Sequence, residues 1–377
     1  MDSPENPYLL LTPGPLSTSP SVKAVMLRDY CTWDDNYNSI VQDIRSELVR
    51  LAGRDASTSA PDAMTAVLMQ GSGTFAVEAT IGTAIPRGGK LLVVNNGAYG
   101  ARIAQIARRL EIDCTEITQP ETEPADLRRI EAALEGDPAI THLALVHCET
   151  TTGMLNPAAE AGALAGRYGK SYILDAMSSF GGIPMTMDDM GADWLISSAN
   201  KCIQGVPGFA FVLARRGTLE AAAGNARSLS LDLHDQWREM EQKGGKWRYT
   251  SPTHTVRAFA QALAELGDEG GVVARHARYV ENARRLVDGY ERIGFKTLLP
   301  ADHRSPIITS FRYPSPAFSF DAFYAAMKAR GFVLYPGKIS NADTFRVGTI
   351  GHVFPADIDR LVDATADAVK ELGISFE

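Results

Sequence analysis

Asp193-Trp-Leu-Ile-Ser-Ser-Ala-Asn-Lys201-Cys-Ile-Gln-Gly205 is a short apolar run that ends in a lysine, followed by the loop chemistry of Gly205-Val-Pro-Gly208. Upstream, Tyr172-Ile-Leu-Asp175-Ala-Met-Ser-Ser is a second apolar run, closed by an acid. Most lysines are surface residues, and an Asp after a strand is often a helix cap or turn residue. A lysine at a desolvated strand end has another use, because its pKa falls and it becomes a usable amine. An acid closing one strand and a lysine closing the next is the layout pyridoxal phosphate chemistry needs. The amine forms a Schiff base with the cofactor aldehyde, and the carboxylate keeps the pyridine nitrogen protonated.

The runs around this pair alternate in type. Residues 64–70 read as a strand and 74–84 as the helix after it; 91–95 read as a strand and 100–109 as a helix. Residues 140–147 and 171–175 read as strands separated by the helical pattern 158–168, with further strands at 193–197 and 209–214. Continuous apolar strands predict a sheet buried on both faces. Their alternation with helices predicts βαβ units and a mostly parallel sheet. Beyond residue 255 the pattern turns long and helical (256–266 and 272–290). Strands at 306–311 and 344–347 and helices at 320–330 and 356–372 follow, the pattern of a smaller α+β unit. A chain of 377 residues is too long for one simple core. The expected division is a large domain over residues 1–262 and a small one over 263–377, with residues 1–20 packing with the small domain.

Bulk composition narrows the function classes. A hydrophobic content of 45% with 22% charged residues is that of an ordinary globular chain. The net charge of −8 disfavours nucleic acid or an anionic membrane as partner, though not a small anionic substrate. Cys31, Cys114, Cys148 and Cys202 are scattered without a CxxC pair, which fits a reducing cytoplasm. The first residues lack the basic start and apolar core of a signal peptide, and no apolar run approaches the roughly 20 residues of a membrane span. The seven histidines show no metal-binding spacing, and no GxSxG elbow points to a serine hydrolase.

Several strand exits carry further chemistry. Gly71-Ser-Gly-Thr74 lies between a strand and a helix, where Ser72, Gly73 and Thr74 can offer backbone and hydroxyl donors to a phosphate. Alone, the same stretch reads as a tight turn. Tyr99, in Asn95-Asn-Gly-Ala-Tyr99-Gly100, is either a buried turn residue or a flat partner for a cofactor ring. In His147-Cys-Glu-Thr-Thr-Thr152-Gly153, Thr152 either donates to a ring oxygen or closes an ST-turn. Arg346 sits inside the apolar strand Phe345-Arg346-Val-Gly348. A buried arginine must be paired, with a structural carboxylate or with a substrate carboxylate or phosphonate. Lys246-Trp-Arg-Tyr-Thr250-Ser-Pro-Thr-His-Thr255 is polar and proline-interrupted, a surface loop on its face.

Together these residues resemble the fold-type I pyridoxal phosphate aminotransferases, in the branch with alanine–glyoxylate and serine–glyoxylate aminotransferases. The likeness is greatest to the 2-aminoethylphosphonate–pyruvate aminotransferase family. It is carried by Leu11-Thr-Pro-Gly-Pro-Leu16, Cys31-Thr-Trp-Asp-Asp35, Gln70-Gly-Ser-Gly, Asn96-Gly-Ala-Tyr-Gly-Ala-Arg102 and Glu149-Thr-Thr-Thr-Gly-Met-Leu-Asn-Pro157. It continues through Asp175-Ala-Met-Ser-Ser-Phe-Gly-Gly182, Ser197-Ser-Ala-Asn-Lys-Cys-Ile-Gln-Gly-Val-Pro-Gly208, Tyr249-Thr-Ser-Pro-Thr-His-Thr255 and Tyr335-Pro-Gly-Lys338.

The resemblance implies a mostly parallel seven-stranded sheet with helices on both faces and a smaller C-terminal α+β domain. It implies a cytoplasmic homodimer with shared active sites, pyridoxal 5'-phosphate as cofactor, and no metal, nucleic acid or membrane partner. Carried over residue by residue, Lys201 is the Schiff-base lysine and Asp175 the pyridinium partner. Ser72, Gly73 and Thr74 form the phosphate cup, Tyr99 stacks on the ring, and Thr152 lies near the ring oxygen. Thr250 reaches the phosphate from the neighbouring subunit, Arg346 binds the substrate anion, and Gly14 lies near the substrate. The implied reaction moves the amino group of 2-aminoethylphosphonate to pyruvate. An alanine- or serine–glyoxylate enzyme would share every cofactor residue, so only the Cys31 and Thr250 motifs separate the two. A cysteine desulfurase would need a late nucleophilic cysteine, whereas the last here is Cys202. A non-catalytic regulator would lack the lysine or carry a DNA-binding segment.

Overall fold

The apolar runs between residues 64 and 215 assemble into one seven-stranded sheet in the computed structural model, which describes residues 6–53, 63–337, 339 and 342–377. The strands are β1 (Met64–Gln70), β2 (Lys90–Asn95), β3 (Asp113–Thr118), β4 (Ile140–Val146), β5 (Ser171–Asp175), β6 (Trp194–Ser198) and β7 (Phe209–Arg215). Their order is β1-β7-β6-β5-β4-β2-β3. All neighbours run parallel except β7, which is antiparallel to both β1 and β6. On β1, Ala66 and Leu68 enter one core while Val67 and Met69 enter the other. Alternate side chains of the strand are therefore buried on opposite faces, which is why its sequence is apolar throughout.

Helices cover both faces: α1 (Asp35–Leu51), α2 (Gly73–Ala84), α3 (Ala98–Arg109), α4 (Leu127–Gly136), α5 (Ala158–Arg167), α6 (Leu233–Gln242) and α7 (Thr253–Asp268). Pattern reading alone misses β3, α1, α4 and α6. β3 is the sheet edge, and its exposed Asp113 and Thr118 break the apolar run. The others announce themselves mainly by their caps. Asp34 accepts from the N–H of Asn36, Asp126 from those of Arg128 and Arg129, and Asp232 from that of Asp235. α1 then buries Tyr37, Val41, Ile44 and Leu48 at helical spacing.

The 23-residue helix α8 (Gly271–Ile293) leads to a three-stranded antiparallel sheet. There β10 (Thr344–Gly348) lies between β8 (Ile308–Arg312) and β9 (Tyr335–Pro336). This sheet packs with α8, α9 (Phe320–Ala329) and α10 (Pro355–Glu371) around an aromatic core of Tyr290, Phe295, Phe311, Phe323 and Phe345. Leu9–Leu10 pairs in parallel with Phe332–Val333, so the start of the described chain joins this unit. Residues 1–5 and Lys338, which belong to two of the sequence expectations, lie outside the described residues. Among the described residues no helix is long and apolar enough to cross a membrane.

Candidate active site

The parallel strands all present their carboxyl ends to one edge of the sheet, where ligands of open α/β folds bind. Asp175 is the last residue of β5, and Lys201 follows β6 by three residues. The turn after β1 carries Ser72, Gly73 and Thr74 into α2, and the exit of β2 carries Tyr99 on the first turn of α3. These six residues line one cavity of about 180 Å³. Sequence reasoning had no means to single out Arg102, Met177, Ser198 and Asn200, which line it too, although each lies inside a motif quoted above. Arg102 is three residues from Tyr99 on a helix, hence on the same face. Its guanidinium lies 5.0 Å from the Tyr99 ring centre and donates to Thr74 Oγ1 at 3.2 Å.

Burial sets the charges at the centre. Asp175 is 4% exposed, and desolvation pushes its carboxyl up to about 6. The N–H of Met177, donating at 2.9 Å, and the cations of Arg102 and Lys201 oppose that rise. Desolvation likewise lowers the Lys201 ammonium below the usual lysine range, against the pull of neighbouring Cys202 and Asp175. Lys201 Nζ donates to the carbonyl of Pro13 at 3.0 Å. Gly14 is pressed against the same side chain, since a Cβ there would stand 2.5 Å from Nζ, and its φ of +132° suits glycine alone. Just past the lysine, Gln204 holds a φ of +69°, with its Nε2 donating to Tyr279 Oη at 2.6 Å. A non-glycine residue held in that region marks a turn fixed by its surroundings.

The other expected residues are placed less simply. Arg346 is buried on β10, with Nε donating to Pro336 O at 2.9 Å and Nη1 to Thr150 O at 2.8 Å. Its guanidinium lies 4.9 Å from the Tyr335 ring centre. Among the described residues no carboxylate forms an ion pair with it, so the structural salt bridge considered for it does not form there. Thr152 is buried but does not line the cavity. Its hydroxyl accepts from the N–H of Met154 at 3.3 Å and donates to Glu149 O at 3.4 Å, the bonds of its own turn. Thr250 is exposed in the loop before α7 and does not reach the cavity of its own chain. The Cys31-Thr-Trp-Asp-Asp35 motif opens α1, with Asp34 as its cap and Trp33 exposed beneath the ammonium of Lys246.

The donor set suits an anionic pyridine aldehyde. The first N–H groups of α2, with Ser72 as an N-cap whose side chain makes no capping bond, could accept a phosphate. Ser198 Oγ is buried at the cavity wall and lacks a hydrogen-bond partner among the described residues. Asp175 supplies a buried carboxylate and Lys201 a half-buried amine.

Comparison with known proteins supports the same reading of the chain. A family model described as aminotransferase class-V matches residues 42–322. A 2-aminoethylphosphonate–pyruvate transaminase of Syntrophobacter fumaroxidans is 63% identical over 98% of both chains. One of Vibrio vulnificus is 60% identical, covering 97% of this chain and 98% of its own. One of Bacillus cytotoxicus is 57% identical, covering 96% and 98%. Among solved structures, pyridoxamine-pyruvate aminotransferase from Mesorhizobium loti superposes with a TM-score of 0.88 at 22% identity, covering 100% of this chain and 95% of its own. Alanine–glyoxylate aminotransferase from Nostoc sp. superposes with a TM-score of 0.87 at 25% identity, covering 98% and 96%.

Proposed function

The chain belongs to the class-V aminotransferase family, and we propose from that premise that it converts 2-aminoethylphosphonate and pyruvate to phosphonoacetaldehyde and L-alanine, with pyridoxal 5'-phosphate as cofactor. One observation carries the chemistry: Lys201, Asp175 and the Ser72–Thr74 turn line a single cavity. Relatives of this activity at 57–63% identity over nearly the whole chain favour it over the alanine- or serine–glyoxylate alternative.

When bound, pyridoxal phosphate supplies the electron sink that acidifies the hydrogen on an amine-bearing carbon. Ser72, Gly73 and Thr74 would hold its phosphate, Tyr99 its ring face, Asp175 its ring nitrogen and Lys201 its aldehyde carbon. The buried Asp175 carboxylate favours a proton on that nitrogen. Lys201 Nζ, whose ammonium form burial disfavours, takes the proton from the amine-bearing carbon of 2-aminoethylphosphonate. In the second half-reaction it delivers a proton to the carbon that becomes Cα of alanine. Arg346, placed by two backbone carbonyls, binds the phosphonate of one substrate and the carboxylate of the other in turn. Gly14 leaves Lys201 room to swing.

The proposed enzyme is a cytoplasmic homodimer. The exposure of Thr250 supports this, because a hydroxyl that does not reach its own cavity is free to serve the neighbouring subunit's phosphate. The test follows alanine formation from 2-aminoethylphosphonate and pyruvate, then from alanine or serine with glyoxylate. Turnover with the first pair, abolished by Lys201→Ala, is expected. Turnover with the second pair only would overturn the substrate assignment and leave the cofactor reading intact.

A further inference from the structure

The buried carboxylate of Glu149 has no part in the chemistry just described. It is fully buried at the end of the two-residue strand Cys148–Glu149, which follows β4 and opens a turn, and among the described residues no cation pairs with it. Such a group needs compensation from hydrogen bonds or dipoles. Its partners are the N-terminus of α3 and a neighbouring hydroxyl. The N–H of Tyr99 donates to Oε2 at 3.1 Å, that of Gly100 to Oε2 at 3.4 Å, and Thr151 Oγ1 to Oε1 at 2.9 Å. α3 needs this help, because its N-cap is Gly97, which has no side chain to offer. A carboxylate at that end also complements the helix dipole. Gly97 itself is extended, at φ 170°, so any residue fits its backbone. A Cβ there would nevertheless run into Cγ and Cδ of Glu149. The same turn serves Arg346, whose Nη1 donates to the carbonyl of Thr150 at 2.8 Å.

We propose that Glu149 is a positioning residue, whose carboxylate fixes the first turn of α3 and so sets Tyr99 against the cofactor ring. The turn it anchors also aims Arg346, so cofactor seat and anion seat share one support. This deepens the aminotransferase reading and rests on it.

The experiment titrates apoprotein with pyridoxal 5'-phosphate and follows tryptophan fluorescence, with the melting temperature recorded alongside. Glu149→Gln and Gly97→Ala are each expected to weaken cofactor binding about tenfold, equivalent to ~1.4 kcal/mol, while melting within a few degrees of the parent. In a Tyr99→Ala background, Glu149→Gln should add little further loss, because the two act through one contact. Unchanged affinity in both single variants, or a fully additive loss in the double variant, overturns the positioning role. If Glu149→Gln does not fold, Gly97→Ala carries the test, since it only displaces the carboxylate. A parent apoprotein that takes up no cofactor overturns the aminotransferase reading and this inference together. Normal uptake by parent and variants alike sinks this inference alone.

Discussion

Asp175 and Lys201 both line the cavity, and burial shifts each toward its neutral form. For Asp175 the folded pKa is raised from 3.8 to about 6. The folded apoprotein therefore holds that proton more tightly than the unfolded chain, which favours folding at low pH. The advantage is lost as pH rises through this interval, and above about 6 the buried carboxylate works against the fold. Asp175→Asn should accordingly raise apoprotein stability at pH 8 by the order of 1–3 kcal/mol and change it little at pH 4. The same change should remove nearly all transamination, because an amide cannot hold a proton on a pyridine nitrogen. Denaturant midpoints at the two pH values check the first claim. A variant no more stable than its parent at pH 8 would show that Asp175 is not desolvated as described. The pair was legible in the sequence because strand-end polar residues after apolar runs are conspicuous. Arg102 and Ser198 were not, since an arginine on a helix and a serine in a strand look ordinary until the fold turns them to one cavity.

At the scale of elements, α7 and α8 meet at Glu269, whose carboxylate is held by two arginines. Arg275 Nη2 lies 2.7 Å from it and Arg278 Nε also 2.7 Å. Arg275 then donates to Cys202 O at 3.0 Å, beside the lysine, while Arg278 donates to Gly351 O at 2.9 Å, three residues beyond β10. One carboxylate thus ties the Lys201 turn to the strand that carries Arg346. Removing the half-buried carboxylate strands two arginines that are themselves largely buried, so Glu269→Ala should cost ~2–4 kcal/mol. Glu281→Ala, on the solvent-screened Arg284 and Arg285 pairs of the same helix, should cost far less. Equal losses in urea denaturation would refute this ranking. The long helices were legible from their period, as was the alternation of strands and helices. The ties between them were not, because backbone carbonyls such as those of Cys202 and Gly351 leave no trace in side-chain type.

For the whole molecule, the surface beside the cavity says most about assembly. Phe75 is 51% exposed and Tyr249 50%, a large apolar outlay for a free surface. Both line a second cavity with Gly71, next to the Ser72–Thr74 turn, and Thr250 follows Tyr249 directly. A partner packed there would cover both rings and bring its own Thr250 toward the phosphate seat of this chain. Burying a charge in that contact should break it, so in light scattering the parent is expected to run as a dimer and Phe75→Glu as a monomer. The monomer would lose the neighbouring hydroxyl's bond to a charged phosphate, worth ~1.5–3 kcal/mol. Its affinity for pyridoxal phosphate should then fall about 10- to 100-fold, and Thr250→Ala should reproduce that loss within an intact dimer. A Phe75→Glu dimer with parental affinity would place the interface elsewhere. A Thr250→Ala dimer with unchanged affinity would show that each cavity is complete within its own chain.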